Sequence, residues 1–218
     1  MMRLFPALLL SALLPLFANA AEKPNEPAYQ EGVHYVRLAT PVRPRTPGKI
    51  EVVELFSYGC IHCFHFEQPI EAWKKTLPED VDFWRSHVTW NSVAVHYARA
   101  FYTAQALGVL DKIHGPLFNA IHVDKKPPAT KAQMAALFAA HGVDANTFNK
   151  TYASFGVNSQ IDQATARARS FELQGTPEMV VAGKYRITGD GLSSQAEVLK
   201  VVDYLVARER QARAAQPQ

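Results

Sequence analysis

Cys60 and Cys63 are the only cysteines in a chain of 218 residues, and they stand three apart in Cys60-Ile61-His62-Cys63. Two thiols at that spacing can staple a loop, hold a metal ion or exchange a disulfide with another molecule. As a staple the pair is weak: closing a loop of about 4 residues is worth roughly 2 kcal/mol, against about 4.7 kcal/mol for a 100-residue loop. Staples also concentrate in small scaffolds, not in chains of this length. As a metal site the pair has His62 and His65 beside it, and thiolate with imidazole suits zinc or copper. There is no second cysteine pair, however, and four ligands drawn from one short stretch would be badly strained. Haem attachment through Cys-x-x-Cys-His fails because residue 64 is Phe. Thiol–disulfide exchange is the chemistry these residues favour, and it depends on what positions them.

Upstream, Ile50 to Phe56 is rich in β-branched residues and apolar on both faces apart from Glu51 and Glu54, which predicts a strand covered on both sides. Downstream, Cys63, Phe66, Ile70, Trp73 and Leu77 recur every three or four residues, with Glu67, Glu71, Lys74 and Lys75 opposite, which predicts an amphipathic helix. Pro69 lies inside it and is expected to kink it. A strand leading through Ser57-Tyr58-Gly59 into this helix places Cys60 in the first turn, beside unpaired backbone N–H groups and the positive end of the helix dipole. A thiolate is stabilised there, and His62 can add a charge or an N–H donor to the same sulfur. Cys63, one turn further on, falls on the apolar stripe and is expected to be buried. Cys60 is therefore the sulfur that attacks or is attacked, and Cys63 the one that resolves. Whatever stabilises the reduced thiolate makes the disulfide a better oxidant, so the pair is expected to donate disulfides.

The composition, 48% hydrophobic and 20% charged, excludes wholesale disorder. Lys and Arg number 23 against 20 Asp and Glu, a balance of +3 with no dense basic cluster, which argues against a nucleic-acid partner. Residues 1–20 read as a signal peptide. Met1-Met2-Arg3 is a basic start, and the apolar run from Leu4 to Phe17 is shorter than the roughly 20 residues of a spanning helix. Ala18-Asn19-Ala20 supplies a small-x-small cleavage pattern. The expected product is a soluble protein exported to an oxidising compartment.

Beyond a strand at His34 to Leu38, Pro41, Pro44 and Pro47 punctuate a loop. After a strand at Val81 to Val88, only helical signals occur from about Trp90 to Asn158. They begin with Ala94 to Leu107 and include one helix capped by Thr130 and another capped by Asp144 that carries Phe148, Tyr152 and Phe155. A helix over about Ser159 to Leu173, a hairpin from Met179 to Ile187 turning at Ala182-Gly183, and a helix over Ser193 to Arg213 follow. The plan is α/β with a helical insertion. His87, His96, His114, His122 and His141 share no ligand spacing and read as ordinary histidines, while Phe83, Trp84 and Trp90 read as core.

From Phe56 to Glu67 the sequence resembles the DsbA family of periplasmic thiol:disulfide interchange proteins. The likeness continues through Ala106 to Val109, Pro116-Leu117-Phe118, Gly175-Thr176-Pro177 and Val181 to Tyr185. The resemblance implies an α/β thioredoxin fold with an inserted helical domain: 21–91 and 159–218 would form the thioredoxin-like part and 92–158 the insertion. It also implies a cis Thr176-Pro177 bond that faces the cysteines and presents backbone to a substrate peptide; alone, these residues show a helix stop and a turn. Glu54 takes the place of a buried carboxylate that carries protons near Cys63, where the residues alone suggest a solvated or edge glutamate. Glu67 matches an acidic family position but reads as a solvated charge. Ile61 departs from the proline of the best-known members and sets an exposed branched side chain beside Cys60, where it would meet partners. The implied activity is donation of the Cys60–Cys63 disulfide to newly exported proteins by a monomer that carries no cofactor and no metal. Reoxidation would come from a DsbB-type membrane quinone reductase. The alternatives are a disulfide isomerase or reductase on the same fold, which usually acts through an added dimerisation domain, and a periplasmic copper- or zinc-binding module.

Overall fold

The computed structural model describes residues 28–215 together with Met1. The signal peptide expected at 1–20 otherwise lies outside the described residues.

β2 (Ile50–Phe56) is the centre of a five-stranded sheet. Its branched and aromatic side chains leave no face to offer water, and all seven residues are buried. It pairs in parallel with β3 (Val81–His87) and antiparallel with β4 (Glu178–Val181). β5 (Tyr185–Ile187) and β1 (Tyr35–Arg37) extend the sheet beyond β4, giving the order β1-β5-β4-β2-β3. Phe56 stands opposite His87, and Leu55 opposite Glu178. The C-terminal ends of β2 and β3 therefore share one edge with the start of β4.

Side chains alternate along a strand, so Ile50, Val52, Glu54 and Phe56 face one side of the sheet and Glu51, Val53 and Leu55 the other. The first side is covered by α1 (Ile61–Lys74) and α7 (Gln195–Ala214). Phe66, Ile70 and Trp73 join Leu199, Val202 and Leu205 over Ile50 and Val52. α1 runs unbroken through Pro69. On the second side Val53, Leu55 and Val180 gather with Leu38, Val88 and Phe171.

Between β3 and β4 come α2 (Ser92–Ala106), α3 (Leu110–His122), α4 (Lys131–Ala140), α5 (Ala145–Tyr152) and α6 (Phe155–Ser170). Asn91, Asp144 and Ser154 cap α2, α5 and α6, and Thr130 with Gln133 forms a reciprocal capping box on α4. The core of this block, with Phe101, Phe118, Phe138, Phe148 and Ile161, continues into Phe56, Tyr58 and Cys63. None of the helices among the described residues is long and apolar enough to cross a membrane.

The structure departs from the sequence pattern at the second domain junction and at two aromatic residues. The helix expected from Ser159 begins at Phe155 because Ser154 caps it, so the junction drawn at 158/159 falls inside α6. Phe155, expected on the stripe of the preceding helix, is 86% exposed, and Trp90, expected in the core, is 53% exposed just beyond β3.

The hairpin between β4 and β5 does turn at Ala182-Gly183, both at positive φ, and the Gly183 carbonyl accepts the Val42 N–H at 2.8 Å, tying down the proline-rich loop. A Cβ at position 183 would overlap the Val42 carbonyl oxygen. Gly183→Ala is therefore expected to lower stability by more than ~1 kcal/mol. Urea unfolding checks this, and an unchanged midpoint is the contrary result.

Candidate active site

Cys60 closes the loop after β2, with its N–H donated to the Ser57 carbonyl at 3.0 Å. Its backbone is extended, at φ −91° and ψ 116°, and it is the N-cap of α1, one position before the first turn expected from the sequence. The difference matters because an N-cap side chain faces the free N–H groups two and three residues on. Those belong to His62 and Cys63, and the Cys60 sulfur lies near them without closing a capping hydrogen bond. The Cys60 thiol is lowered to about 5, most of all by a hydrogen bond from the Cys63 thiol and against the opposing effect of burial. The Thr176 side chain and the backbone N–H groups of Cys63 and His62 add to the effect. Cys63 is fully buried, and burial pushes its thiol far above the ordinary range, reinforced by its hydrogen bond to Cys60. Both thiols are free in this structure.

The other residues singled out from the sequence surround this pair. Thr176-Pro177 is a cis peptide bond, and the Thr176 carbonyl lies 3.3 Å from Cys60 Sγ. Ile61 is 40% exposed beside it. The His62 imidazole is exposed and makes no hydrogen bond among the described residues, while its carbonyl accepts Gln195 Nε2 at 2.7 Å. What His62 gives the Cys60 sulfur here is its backbone N–H.

Glu54 is wholly buried on the face of β2 that α1 covers. Arg85 stands directly opposite it on β3 and donates Nε–H to Oε2 at 2.7 Å. The Arg85 Nη2 reaches Glu67 and Glu71 on α1 at 3.2 Å each. Glu54 Oε1 is buried without a hydrogen-bond partner among the described residues. Burial outweighs the pull of Arg85 and raises the Glu54 carboxyl to about 7. A group so placed exchanges protons near neutral pH. Glu67, expected to be solvated, is instead largely buried between Arg85 and His114, whose Nε2 lies 3.1 Å from Glu67 Oε2.

Three histidines that sequence reasoning passed over converge on Tyr58, two residues before Cys60. His87 Nε2 accepts the Tyr58 N–H at 3.0 Å, and its Nδ1 lies 2.7 Å from the Val88 carbonyl. A carbonyl can only accept and a backbone N–H can only donate, so the ring is fixed as the neutral Nδ1–H tautomer. Burial lowers its pKa to about 3. His122 donates Nε2–H to the Tyr58 carbonyl at 2.7 Å and stacks on Phe64. His114 Nδ1 meets the Tyr58 hydroxyl at 2.7 Å. The sequence signal for these roles was slight: His87 ends a strand parallel to β2, and only the sheet register turns that into proximity.

A thiol pair at a helix N-cap, one sulfur activated and the other buried, set against a cis-proline loop on this sheet, defines a thioredoxin-fold thiol:disulfide oxidoreductase with a helical insertion. The family model for the DSBA-like thioredoxin domain matches residues 67–202, beginning just after the second cysteine. The chain is 43% identical to the thiol:disulfide interchange protein DsbA of Azotobacter vinelandii over 94% of this chain and 98% of that protein. It is similar in structure to the crystal structure of Pseudomonas aeruginosa DsbA, with a TM-score of 0.82 and 41% identity over 85% of this chain and 97% of that one. The oxidoreductase DsbA of Xylella fastidiosa gives a TM-score of 0.78 at 35% identity, over 84% and 98% of the two chains. The chain belongs to the DsbA family.

Proposed function

We propose that the protein donates its Cys60–Cys63 disulfide to newly exported proteins in the periplasm. The observation that carries this is the asymmetry of the two sulfurs: one thiol lowered to about 5 at the N-cap, the other buried and held protonated. A substrate thiolate attacks Cys60 Sγ of the disulfide. The Cys60–Cys63 bond breaks, its electron pair goes to Cys63 Sγ, and that sulfur takes up a proton for which Glu54 is the nearby carrier. A second substrate thiolate then attacks the substrate sulfur of the mixed disulfide, and Cys60 leaves as the stabilised thiolate. The substrate gains a disulfide and the enzyme is left as the dithiol, so two electrons are conserved.

Thr176 and Pro177 present backbone to the substrate, Ile61 contacts it, and His62 stabilises the thiolate. Residues 21–91 and 159–218 form the oxidoreductase part and 92–158 the insertion, with α6 crossing the second junction. Residues 1–20 direct export and are removed after Ala20. The enzyme works as a monomer, and a DsbB-type membrane quinone reductase reoxidises it.

Titration of thiolate absorbance tests the chemistry: the reduced wild type is expected to show a midpoint near 5, and His62→Ala isolates the share of the imidazole. A midpoint in the ordinary thiol range of about 8–9 would overturn the reading. Stability should follow the same titration. Between about 5 in the folded protein and 9.0 in the unfolded chain, the unfolded state binds the extra proton, so the reduced form gains stability as pH rises through that window. That contribution is lost as pH falls through 5.

A further inference from the structure

Two helix faces meet beside the sheet without closing on each other. Phe64, Glu67 and Glu71 follow helical spacing along α1, and Asp111, His114 and Phe118 repeat that spacing along α3, so each set forms one face. Between the faces lies a cleft of about 470 Å³, a size typical of small-ligand sites. Cys60, Ile61, Thr176 and Pro177 take no part in its lining. Phe64, Leu110 and Phe118 give it an apolar wall, with the Phe64 and Phe118 ring centroids 5.9 Å apart. Its charged groups are mostly acids: Glu67, Glu71 and Asp111 line it, and Arg85 is the one Lys or Arg that does. Lys74 pairs with Glu71 from outside the cleft at 2.8 Å. Arg85 is shared, because it donates to Glu54 at 2.7 Å and to Glu67 and Glu71 at 3.2 Å each.

The floor of the cleft holds two polar atoms that the chain leaves unpaired. Glu67 Oε2 accepts from Arg85, but Glu67 Oε1 is buried with no hydrogen-bond partner among the described residues. His114 is only 8% exposed, and its Nε2, 3.1 Å from Glu67 Oε2, also makes no hydrogen bond among the described residues. Buried polar atoms are nearly always paired, so two such atoms on one floor leave room for a polar group from outside the chain. We infer that this cleft binds a small aryl-substituted ammonium or amidinium ion, its charged nitrogen on Glu67 and its ring against Phe64 and Phe118. The surplus of acids selects a cation over an anion. A charged N–H donor makes the strong bond that Glu67 Oε1 lacks, with Glu71 and Asp111 exposed at the rim. A cation without a ring would leave the apolar wall uncovered, and a ring without a charge would leave Oε1 unpaired. The site stands apart from the exchange chemistry and does not depend on it.

The test uses benzamidine and benzyl alcohol, which share a ring and differ in charge. Each is titrated into the isotope-labelled protein at constant ionic strength, and NMR follows the backbone N–H signals of Gly115 and Asn119, both on the cleft. Benzamidine is expected to shift both signals saturably with a Kd on the order of 1 mM, about tenfold tighter than benzyl alcohol. Glu67→Gln is expected to weaken benzamidine binding about tenfold, since it removes the charge that the amidinium meets. Should that variant fail to fold, Asp111→Asn changes only an exposed rim position and is expected to weaken binding by about two- to threefold. Equal affinity for the two probes would reduce the cleft to an apolar hollow and overturn the inference. So would signals that do not saturate by about 10 mM benzamidine, which is the result expected of a floor that holds only water. Full binding in both variants would overturn the assignment of the cation to the acids of the cleft.

Discussion

Cys60→Ser is expected to abolish disulfide donation, while Cys63→Ser accumulates mixed disulfides between Cys60 and its substrates. Equal loss in both variants, with nothing trapped, is the contrary result. The unequal outcomes follow from the unequal burial. Cys60 is partly accessible at the N-cap, so only it meets a substrate sulfur. Serine there has no sulfur to exchange. Cys63 is fully buried, so its loss leaves the point of attack intact. What it removes is the thiol that would attack Cys60 and expel the substrate, so the mixed disulfide persists. Cys63→Ser also replaces the strongest hydrogen-bond donor to the Cys60 thiolate. Non-reducing electrophoresis with a secretory protein that carries a disulfide, which the Cys60 thiolate attacks to form the mixed disulfide and release a substrate thiolate, distinguishes the two variants in one experiment.

Arg85→Leu is expected to destabilise the protein by about 3–5 kcal/mol, since breaking a buried pair strands the remaining charge. The loss should depend on pH, with a sign fixed by Glu54. In the wild type the folded carboxyl titrates near 7, above its ordinary 4.5, so between those values the folded state holds the extra proton. The Glu54 contribution is therefore fully present below 4.5 and is lost as pH rises through 7. Removing Arg85 takes away the main group opposing that rise and enlarges the effect. Denaturant unfolding at pH 5.5 and pH 8 should thus show the larger deficit at pH 8. Equal deficits would mean that Arg85 matters for its packing against Phe83 and not for the charge on Glu54. Adding Glu54→Gln to Arg85→Leu is expected to recover part of the loss at pH 8, because the wholly buried charge is then gone.

The parts of the site visible in the sequence are those built from neighbours in the chain. Cys60, Cys63 and the helix that carries them declare themselves through spacing and periodicity, and β2 through its unbroken run of branched residues. Thr176-Pro177 is a different case: composition gave only a turn, and the resemblance to a family supplied its meaning. Arg85, His87 and His114 were invisible because their roles depend on register and tertiary contact. Nothing local in Phe83 to His87 says that Arg85 faces Glu54, and nothing in α3 says that His114 reaches Tyr58. Glu67 misled for the same reason, since a polar helix face looks solvated until another element covers it. Phe155 misled in the opposite sense: its helical spacing fitted a stripe that Ser154 interrupts by starting a new helix.

The grip on Tyr58 by His114 and His122 comes from α3, a helix that lies outside the sheet altogether. This bears on transplantation. Copying Cys60-Ile61-His62-Cys63 into a related scaffold that lacks the inserted helices would carry over the letters of the motif without the two imidazoles that anchor the turn ahead of it. The tetrapeptide is not a portable cassette, and the insertion is part of the active site's foundation.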